Sequence, residues 1–271
     1  MRVWNSHREI PDPVAPRAVV MTMGALHAGH AELMRVARER VGATGEVVVT
    51  IFVNPLQFGA SEDFASYPRT LDGDVALCAE MGVSGVYAPD SEDVYPDGER
   101  TTIQPGPVST ILEGVSRPGH FAGMATVVGK LMHITRPRLA LFGEKDFQQL
   151  VIVQQMVRDL NLPVEVVGVP TVRESDGLAL SSRNRYLNDQ ERSQAASIPK
   201  ALRAGALESS IDAMTASVRD HLDPAVRVDY VEVRSPALEA MTAPGSGRLL
   251  FAGYVGTTRL LDNWEVDVHA V

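Results

Sequence analysis

Two histidines, His27 and His30, stand at a corner between an apolar run and a stretch with helical spacing. Two glycines accompany them: Gly24 permits a tight turn, and Gly29 lets the backbone approach a ligand. The first N–H groups of a helix are unpaired and carry the positive end of its dipole, so this corner should attract phosphate. Two imidazoles there can donate hydrogen bonds to phosphoryl oxygens, most strongly as charge builds up in a transition state. A metal pair or a plain turn is the alternative, and the glycine before the second histidine favours a phosphate clamp.

Other signals for a phosphate-binding or nucleophilic group are weaker. The segment 123–130 has one residue too many for a P-loop and no Ser or Thr after Lys130, and no G-x-G-x-x-G run occurs in the sequence. We therefore interpret Lys130 as a residue of a helix surface. Cys78 is the only cysteine, which excludes an intrachain disulfide and a cysteine-built zinc site. It lies in an apolar helical pattern and is interpreted as a buried spacer rather than a nucleophile.

Composition narrows the class of protein. The chain has 271 residues, 45% of them hydrophobic, and a net charge of −9 from 34 acidic and 25 basic residues. This balance argues against extended contact with nucleic acid but allows a nucleotide ligand. No apolar run approaches the roughly 18 residues of a membrane span, and the first residues lack the apolar centre of a signal peptide, so we expect a soluble, cytoplasmic protein with no membrane partner. The chain has only three lysines, Lys130, Lys145 and Lys200. Because arginine supplies nearly all of the positive charge, each lysine is a candidate for a role that arginine cannot fill.

The elements that must position these residues follow an alternating pattern. Strands are predicted by apolar, β-branched runs at 18–21, 47–53, 85–88, 139–142 and 164–169, and the segments between them have helical spacing. This alternation predicts an α/β fold with a doubly wound, Rossmann-like parallel sheet, which binds ligands beyond the carboxyl ends of its strands. We assign this nucleotide-binding domain to residues 1–171.

Residues 172–271 are predicted to form a smaller α+β domain. A polar segment at 173–188 is followed by two helical stretches and by short strands at 228–233, 248–252 and 258–261. Asn188 with Glu191 resembles a capping box that opens a helix running to about Gly205. Because the boundary falls close to candidate catalytic residues, we expect a cleft between the domains, with the smaller domain as a partial lid.

Several motifs resemble those of one enzyme family, in order along the chain. They are Thr22–His30, Phe52–Phe58, Tyr67–Thr70, Arg117–Gly123, Phe142–Gln149 and Ser181–Asn184. The His-x-Gly-His element resembles the HIGH-type signature of adenylyl-transferring enzymes, and together the motifs closely resemble the pantothenate synthetase (pantoate-beta-alanine ligase) family over nearly the whole chain. The resemblance implies that pantoate and ATP give pantoyl adenylate and pyrophosphate, after which beta-alanine attacks to give pantothenate and AMP. It also implies a homodimer.

The resemblance assigns an ATP site and a catalytic group. It implies ATP binding by Met23, Gly29, His30, Gly143, Lys145, Asp146, Val172, Leu180, Ser181 and Arg183. The implied catalytic residues are His27, His30, Lys145, Ser181, Ser182 and Arg183. These residue types agree with the chemistry, because attack on the α-phosphorus needs donors around that phosphorus and positive charge on the leaving pyrophosphate. The sequence leaves two alternatives open: an exposed ion pair of Lys145 with Asp146 or Glu144, and a plain polar linker at 181–183.

The same resemblance assigns pantoate to Gln57, Gln149, Asn54 and His120. A neutral amide pair suits a substrate with hydroxyls beside a carboxylate, since it donates and accepts without a strong ion pair. Asn54 could instead serve the nucleotide or form an Asn-Pro turn. His120, together with Arg117, could have a purely structural role.

Magnesium is expected to arrive bound to ATP, and two acidic residues are candidate ligands for it. These are Asp72 and Asp74, although Gly73 interrupts the acidic run. The rival interpretations are another adenylyl-transfer enzyme, such as a nucleotidylyltransferase, and a nucleotide-binding regulatory protein without turnover. The Gln57 and Gln149 pair favours a small polar acid over a phosphate monoester as substrate. ATP binding without pyrophosphate release would favour the regulatory protein.

Overall fold

The computed structural model describes residues 1–59, 64–98 and 100–271, which pack as two compact units. The α/β unit comprises Met1–Glu144 and Gln148–Pro170, and the C-terminal unit comprises Lys145–Phe147 and Thr171–Val271. The long segment of the C-terminal unit therefore begins one residue before the predicted boundary. The short segment that carries Lys145, predicted to belong to the first domain, packs with the C-terminal unit instead.

The α/β unit alternates strands and helices along the chain. Its strands are β1 (Arg2–Trp4), β2 (Arg17–Thr22), β3 (Glu46–Ile51), β4 (Gly85–Tyr87), β5 (Leu139–Gly143) and β6 (Glu165–Val169). Its helices are α1 (Ala28–Val41), α2 (Leu71–Glu80), α3 (Ser91–Val94), α4 (Glu113–Ser116), α5 (His120–Thr135) and α6 (Phe147–Asp159, of which Phe147 packs with the C-terminal unit). Within the described residues the strands form a six-stranded parallel sheet in the order β1-β4-β3-β2-β5-β6, which confirms the predicted Rossmann-like fold.

All five predicted strands of this unit are present, and β1 is an addition to them. Its three residues pair in parallel with β4, with Arg2 opposite Gly85. Trp4 ends the strand and is 7% exposed, and a Cβ on Gly85 would come within 2.1 Å of the indole ring. Glycine at position 85 therefore makes room for the tryptophan, a tertiary contact that no run of three residues could indicate.

The central strands β2 and β3 are buried, as the predicted β-branched runs require. Val19, Val20, Val48 and Val49 are at most 1% exposed. Because both strands run in the same direction, the loops at their carboxyl ends lie at one edge of the sheet. Cys78 belongs to the core beside this sheet, and burial raises the pKa of its thiol to about 12, which agrees with its interpretation as an inert spacer.

The C-terminal unit is built on an antiparallel sheet. Its strands are β7 (Arg227–Arg234), β8 (Gly245–Val255) and β9 (Thr258–Val268), and its helices are α7 (Asp189–Ala195), α8 (Ser197–Gly205) and α9 (Ile211–His221). The capping box of Asn188 and Glu191 is confirmed. The prediction of one helix to Gly205 is wrong, because Pro199 has no N–H to donate to the carbonyl of Ala195, and the chain forms two helices instead.

No helix within the described part of the chain is long and apolar enough to cross a membrane.

Asp93 ties the N-terminal segment to the α/β unit. Its carboxylate accepts hydrogen bonds from the hydroxyls of Tyr87 at 2.6 Å and Ser6 at 2.7 Å and from the backbone N–H of His7 at 2.7 Å. Burial disfavours the charged form, but these hydrogen bonds outweigh it and lower the pKa of Asp93 to about 2. The carboxylate thereby holds the chain that follows the edge strand β1.

We expect this carboxylate to make stability depend on acid pH. Its folded pKa lies below the ordinary value near 3.9, so its contribution is complete above about pH 4 and is lost between about pH 4 and pH 2. Asp93→Asn should lower the free energy of unfolding by about 2 kcal/mol at neutral pH and by much less near pH 2. Urea unfolding of both proteins at the two pH values measures this, and an equal loss at both would contradict the assignment.

Candidate active site

The turn from β2 to α1 assembles the predicted phosphate corner. His27 caps α1, and its Nδ1 accepts a hydrogen bond from the backbone N–H of Gly29 at 3.1 Å. The Nδ1 of His30 accepts in return from the backbone N–H of His27 at 3.2 Å. This is a reciprocal capping box in which two imidazoles replace the usual Ser and Glu. Gly24 begins the turn with φ of +75°, as the prediction of a tight turn requires.

These capping contacts fix the tautomers of both histidines. A backbone N–H can only donate, so Nδ1 of each ring must accept and carries no proton. A neutral imidazole then carries its proton on Nε2. The ring centroids of His27 and His30 are 4.1 Å apart. The corner thus holds two Nε2–H donors on the first turn of a helix, an arrangement that can stabilise negative charge on a phosphate.

Asp74 supports the same corner from α2. It is 4% exposed, and its Oδ1 accepts from the backbone N–H of Leu26 at 2.8 Å and from the hydroxyl of Thr70 at 3.0 Å. Its Oδ2 is buried without a hydrogen-bond partner among the described residues. A Cβ on Gly24 would lie 2.7 Å from that oxygen, so glycine is needed there for space as well as for conformation. Asp74 therefore holds the backbone immediately before His27.

The two predicted magnesium ligands, Asp72 and Asp74, differ in their surroundings. They lie two residues apart in the first turn of α2, so their side chains point to different sides of the helix. Asp72 is exposed, whereas Asp74 is buried and bonded to the corner. Among residues 1–59, 64–98 and 100–271, no group of three or more His, Cys, Asp or Glu is placed to hold a metal ion. Magnesium that arrives with ATP would be held by phosphate oxygens and water.

A second group of site residues, which we name the amide cluster, consists of Asn54, Gln57 and His120. Asn54 and Gln57 follow β3, and His120 begins α5. The Nδ2 of Asn54 donates to Oε1 of Gln57 at 3.1 Å, and Nδ1 of His120 lies 2.9 Å from the Gln57 carbonyl oxygen. The structure therefore brings together three of the four residues predicted to bind pantoate. The fourth, Gln149, is half-buried in the first turn of α6.

Asn54 supports this cluster through a full set of hydrogen bonds within the protein. It is 1% exposed, and its Oδ1 accepts from the backbone N–H of Leu56 at 3.3 Å and from the hydroxyl of Tyr95 at 2.9 Å. Its Nδ2 donates to Gln57 and to the carbonyl oxygen of Gly123, each at 3.1 Å. An amide has two acceptor and two donor positions, and these contacts use all four. These contacts give Asn54 a supporting place beside Gln57, and its role as a pantoate ligand stays a prediction.

His120 is engaged in the same way. Its Nδ1 must donate, because its partner is the carbonyl oxygen of Gln57. Its Nε2 then accepts from Nη1 of Arg117 at 3.1 Å. Both ring nitrogens are used within the protein, which favours the structural alternative for His120 and Arg117. Within the amide cluster, the Nε2 of Gln57 donates to the thioether sulfur of Met23 at 3.3 Å, which is a weak acceptor.

In the C-terminal unit, Lys145, Ser181 and Arg183 line one pocket. Ser181 caps a 3-10 helix (Ser182–Tyr186), and its hydroxyl accepts from the backbone N–H of Arg183 at 3.3 Å. A hydroxyl that accepts in this way still carries its own proton. An ammonium, a guanidinium and a hydroxyl at one pocket form a donor set suited to phosphate oxygens. Ser182, predicted to act with them, begins the 3-10 helix and does not line the pocket.

Strand β9 holds Lys145 in this pocket. The Nδ2 of Asn263 donates to the carbonyl oxygen of Lys145 at 2.9 Å. Asp262 lines the same pocket and forms a bidentate ion pair with Arg173. Its Oδ2 accepts from Nη1 at 2.7 Å and its Oδ1 accepts from Nη2 at 2.9 Å. Burial raises the pKa of the Asp262 carboxyl, and the charges of Arg173 and Lys145 act against that shift. The ion pair of Lys145 with Asp146 exists at 3.4 Å, but the Asp146 side chain is 50% exposed, so the pair is weak.

The segment that leads to Ser181 is a hairpin rather than a plain linker. The backbone N–H of Leu180 donates to the carbonyl oxygen of Val172 at 2.9 Å. The Nδ2 of Asn184 donates to Oε1 of Glu174 at 2.8 Å, which ties the 3-10 helix to the hairpin. Val172 and Leu180, predicted to contact ATP, thus pair with each other and place Ser181 at the end of the hairpin.

The sequence did not identify the residues that hold the site residues in place through hydrogen bonds. Asp262 and Asn263 are 3% and 5% exposed, and their position directly after the predicted strand at 258–261 is a signal that could have been used. Tyr95 gives no comparable signal, because its partner Asn54 is distant in sequence. Gly143, predicted to allow close approach of the nucleotide, ends β5, and a Cβ there would meet no atom within 4 Å.

The chain is similar to proteins of one ligase family over nearly its whole length. The sequence profile of the pantoate-beta-alanine ligase family matches residues 3–265 of the chain. A pantothenate synthetase of Mycobacterium sp. (strain KMS) is 53% identical over 281 aligned positions, which cover 100% of this chain and 89% of that protein. A pantothenate synthetase structure from Thermus thermophilus has a TM-score of 0.92 and 44% identity, over 97% of this chain and 99% of that one. The pantoate-beta-alanine ligase of Francisella tularensis, solved with beta-gamma ATP and beta-alanine, has a TM-score of 0.82 and 34% identity, over 97% of each chain.

Proposed function

This chain belongs to the pantoate-beta-alanine ligase family and is an ATP-dependent ligase, and we propose that it joins pantoate to beta-alanine through a pantoyl adenylate. The observation that carries the proposal is the family match over residues 3–265, which includes the paired-histidine corner. In the first step the pantoate carboxylate attacks the α-phosphorus of ATP, a mixed anhydride forms and pyrophosphate leaves. In the second step the amine of beta-alanine attacks the acyl carbon, the amide forms, AMP leaves and the amine gives up a proton.

The histidines and the group around Lys145 are proposed to bind different phosphates of ATP. The Nε2–H groups of His27 and His30 donate to oxygens of the α-phosphate, whose negative charge rises as the carboxylate attacks. Lys145, Ser181 and Arg183 neutralise the charge that accumulates on the leaving pyrophosphate. No protein group becomes covalently attached, because the mixed anhydride itself activates the acyl group. Magnesium enters with ATP and shares the phosphate charge.

Gln57 is proposed to hold pantoate, and its removal should raise the requirement for that substrate. We expect Gln57→Ala to raise the KM for pantoate by about 10–100-fold, the loss expected for a hydrogen bond to a charged group, while kcat at saturating pantoate changes much less. Initial rates over a range of pantoate concentrations measure both constants, with ATP kinetics as the internal control. An unchanged pantoate KM would count against the assignment of Gln57.

The reaction is tested by its products. The three substrates together should give pantothenate, AMP and pyrophosphate in equal amounts, as followed by mass spectrometry and phosphate analysis. Formation of ADP and orthophosphate would contradict the adenylate route, because it would mean attack on the γ-phosphorus instead.

We also propose that the protein is a homodimer in the cytoplasm. The family resemblance supports the dimer, and the use of ATP as a substrate supports the compartment. Sedimentation equilibrium should give twice the mass of one chain, and a single-chain mass at all protein concentrations would contradict the dimer.

A further inference from the structure

We propose that Tyr95, Asn54 and Gly123 fix the direction of the Gln57 side-chain amide, so that the Nε2 end faces the ligand and the ligand group bound there must be a hydrogen-bond acceptor. The inference rests on the proposed function only in naming pantoate as that ligand. The direction of the amide itself follows from contacts within the α/β unit.

Backbone groups decide the direction of Asn54. The N–H of Leu56 can only donate, so the atom of Asn54 that faces it at 3.3 Å is the carbonyl oxygen Oδ1. The carbonyl oxygen of Gly123 can only accept, so the atom that faces it at 3.1 Å is Nδ2. The two ends of one amide are therefore assigned independently, and they agree. The hydroxyl of Tyr95, 2.9 Å from Oδ1, donates to it and adds a third constraint.

The direction passes from Asn54 to Gln57. The second hydrogen of Asn54 Nδ2 points to Gln57 at 3.1 Å and needs an acceptor, so Oε1 must be the end that lies there. The Nε2 end of Gln57 then lies away from Asn54, where it donates to the sulfur of Met23 at 3.3 Å. A thioether is a weak acceptor, so a carboxylate or hydroxyl oxygen of a ligand would be the better partner.

The backbone of Gln57 is held as firmly as its side chain. Its carbonyl oxygen accepts from Nδ1 of His120 at 2.9 Å and from Nη2 of Arg117 at 3.4 Å. Helix α5 approaches it closely at Gly123, where a Cβ would lie 2.1 Å from the carbonyl oxygen of Leu56 and 2.7 Å from the backbone nitrogen of Gln57. Backbone atoms cannot move aside as a flexible side chain can, so any other residue at 123 would displace Gln57.

Gln57 thus provides a neutral donor of fixed direction. A neutral donor can bind an oxygen of pantoate without the full ion pair that would weaken an attacking carboxylate. The same amide would reject a ligand that offers a donor at this place. Tyr95 and Gly123 are positioning residues: Tyr95 acts through Asn54, and Gly123 acts through Asn54 and the backbone of Gln57.

The polarity is tested with Gln57→Glu beside Gln57→Ala. A glutamate has the same shape and keeps an acceptor for Asn54, but its ionised form has no donor. We expect Gln57→Glu to raise the pantoate KM by about tenfold or more, at least as much as Gln57→Ala. A pantoate KM near the parent value in Gln57→Glu, together with a raised value in Gln57→Ala, would show that Gln57 accepts and would overturn the inference. An unchanged pantoate KM in both variants would instead remove pantoate from this site and with it the proposed role of Gln57.

The relay is tested with Tyr95→Phe, which removes one hydroxyl from the network. We expect a pantoate KM about 3–10-fold higher, with kcat and the KM for ATP changed by less than about twofold. The matched control is Tyr87→Phe, which removes the hydroxyl bound to Asp93 elsewhere in the α/β unit and should leave the pantoate KM unchanged. In the Gln57→Ala background, Tyr95→Phe should have no further effect, because no amide remains to be positioned. An undiminished effect of Tyr95→Phe in that background would overturn the relay.

Gly123→Ala gives a second, independent test of the close approach. Its expected increase in the pantoate KM exceeds that of Tyr95→Phe, since the added Cβ meets backbone rather than a side chain. Gly129→Ala is the matched control on the same helix, because its Cβ would meet the movable Cδ1 of Ile103. Equal pantoate KM values in the two glycine variants would overturn the role of Gly123.

Discussion

Pantoyl adenylate formation is expected to slow by about 10²–10³-fold in Lys145→Ala, the loss typical of removing one preorganised group that stabilises transition-state charge. Lys145 lines a pocket with Ser181 and Arg183, and its side chain is 19% exposed. Its ammonium is a compact charge that can meet the phosphate oxygens of the leaving pyrophosphate. Single-turnover release of pyrophosphate at saturating ATP and pantoate measures the step directly.

Lys200→Ala is the matched control for this change. Lys200 is an exposed lysine of α8 in the same unit, so its removal changes the net charge equally without touching the pocket. We expect its rate to stay within about twofold of the parent, as is usual for an exposed surface charge. A loss below about threefold in Lys145→Ala would remove Lys145 from the mechanism, since a single preorganised donor should contribute far more.

His27→Asn is expected to slow the same step by about 10²–10³-fold while the fold is retained. Asparagine is a good N-cap and can accept from the backbone N–H of Gly29 as His27 Nδ1 does, but it has no donor at the place of Nε2. The variant therefore separates the catalytic contribution of the imidazole from its capping role. His27→Ala should show the same slow chemistry and also lose about 0.5–2 kcal/mol of stability, because it removes the cap.

Thermal unfolding and single-turnover rates of the two His27 variants together separate the catalytic role of the ring from its capping role. A rate in His27→Asn within about threefold of the parent would mean that the ring acts only as a cap, because loss of a transition-state donor has a much larger effect. Equal melting temperatures for the asparagine and alanine variants would contradict the capping role instead.

The sequence predicts those parts of the fold whose signals lie within a few neighbouring residues. The valines of β2 and β3 form buried β-branched runs, and the Asn188 capping box is local to four residues, so both are correctly predicted. Strand β1 is too short to show a period, and its packing depends on a tryptophan meeting Gly85 from a distant part of the chain. The helix break before Pro199 follows a local rule, yet the apolar spacing continues through it and hides the break.

The sequence also predicts one part of the candidate site better than another. Residue types identify groups that bind phosphate, and the structure does assemble His27 with His30 and Lys145 with Ser181 and Arg183. Residue types do not separate a ligand from the residue that supports it. Asn54 is a polar residue in a motif, and its contacts with Tyr95 and Gly123, which are distant in sequence, are visible only in the structure. Asp74 is likewise a candidate metal ligand by its residue type alone. Its contact with the backbone N–H of Leu26, 48 residues earlier in the chain, is visible only in the structure.

The most direct test of the central claim is pyrophosphate release from magnesium-ATP and pantoate in the absence of beta-alanine. An adenylate route predicts one rapid equivalent of pyrophosphate per site that depends on pantoate, with AMP and pantothenate appearing only after beta-alanine is added. If ATP binds but pantoate triggers no pyrophosphate release until beta-alanine is present, no adenylate forms on the enzyme, and the roles given to the histidine corner and to Gln57 are contradicted.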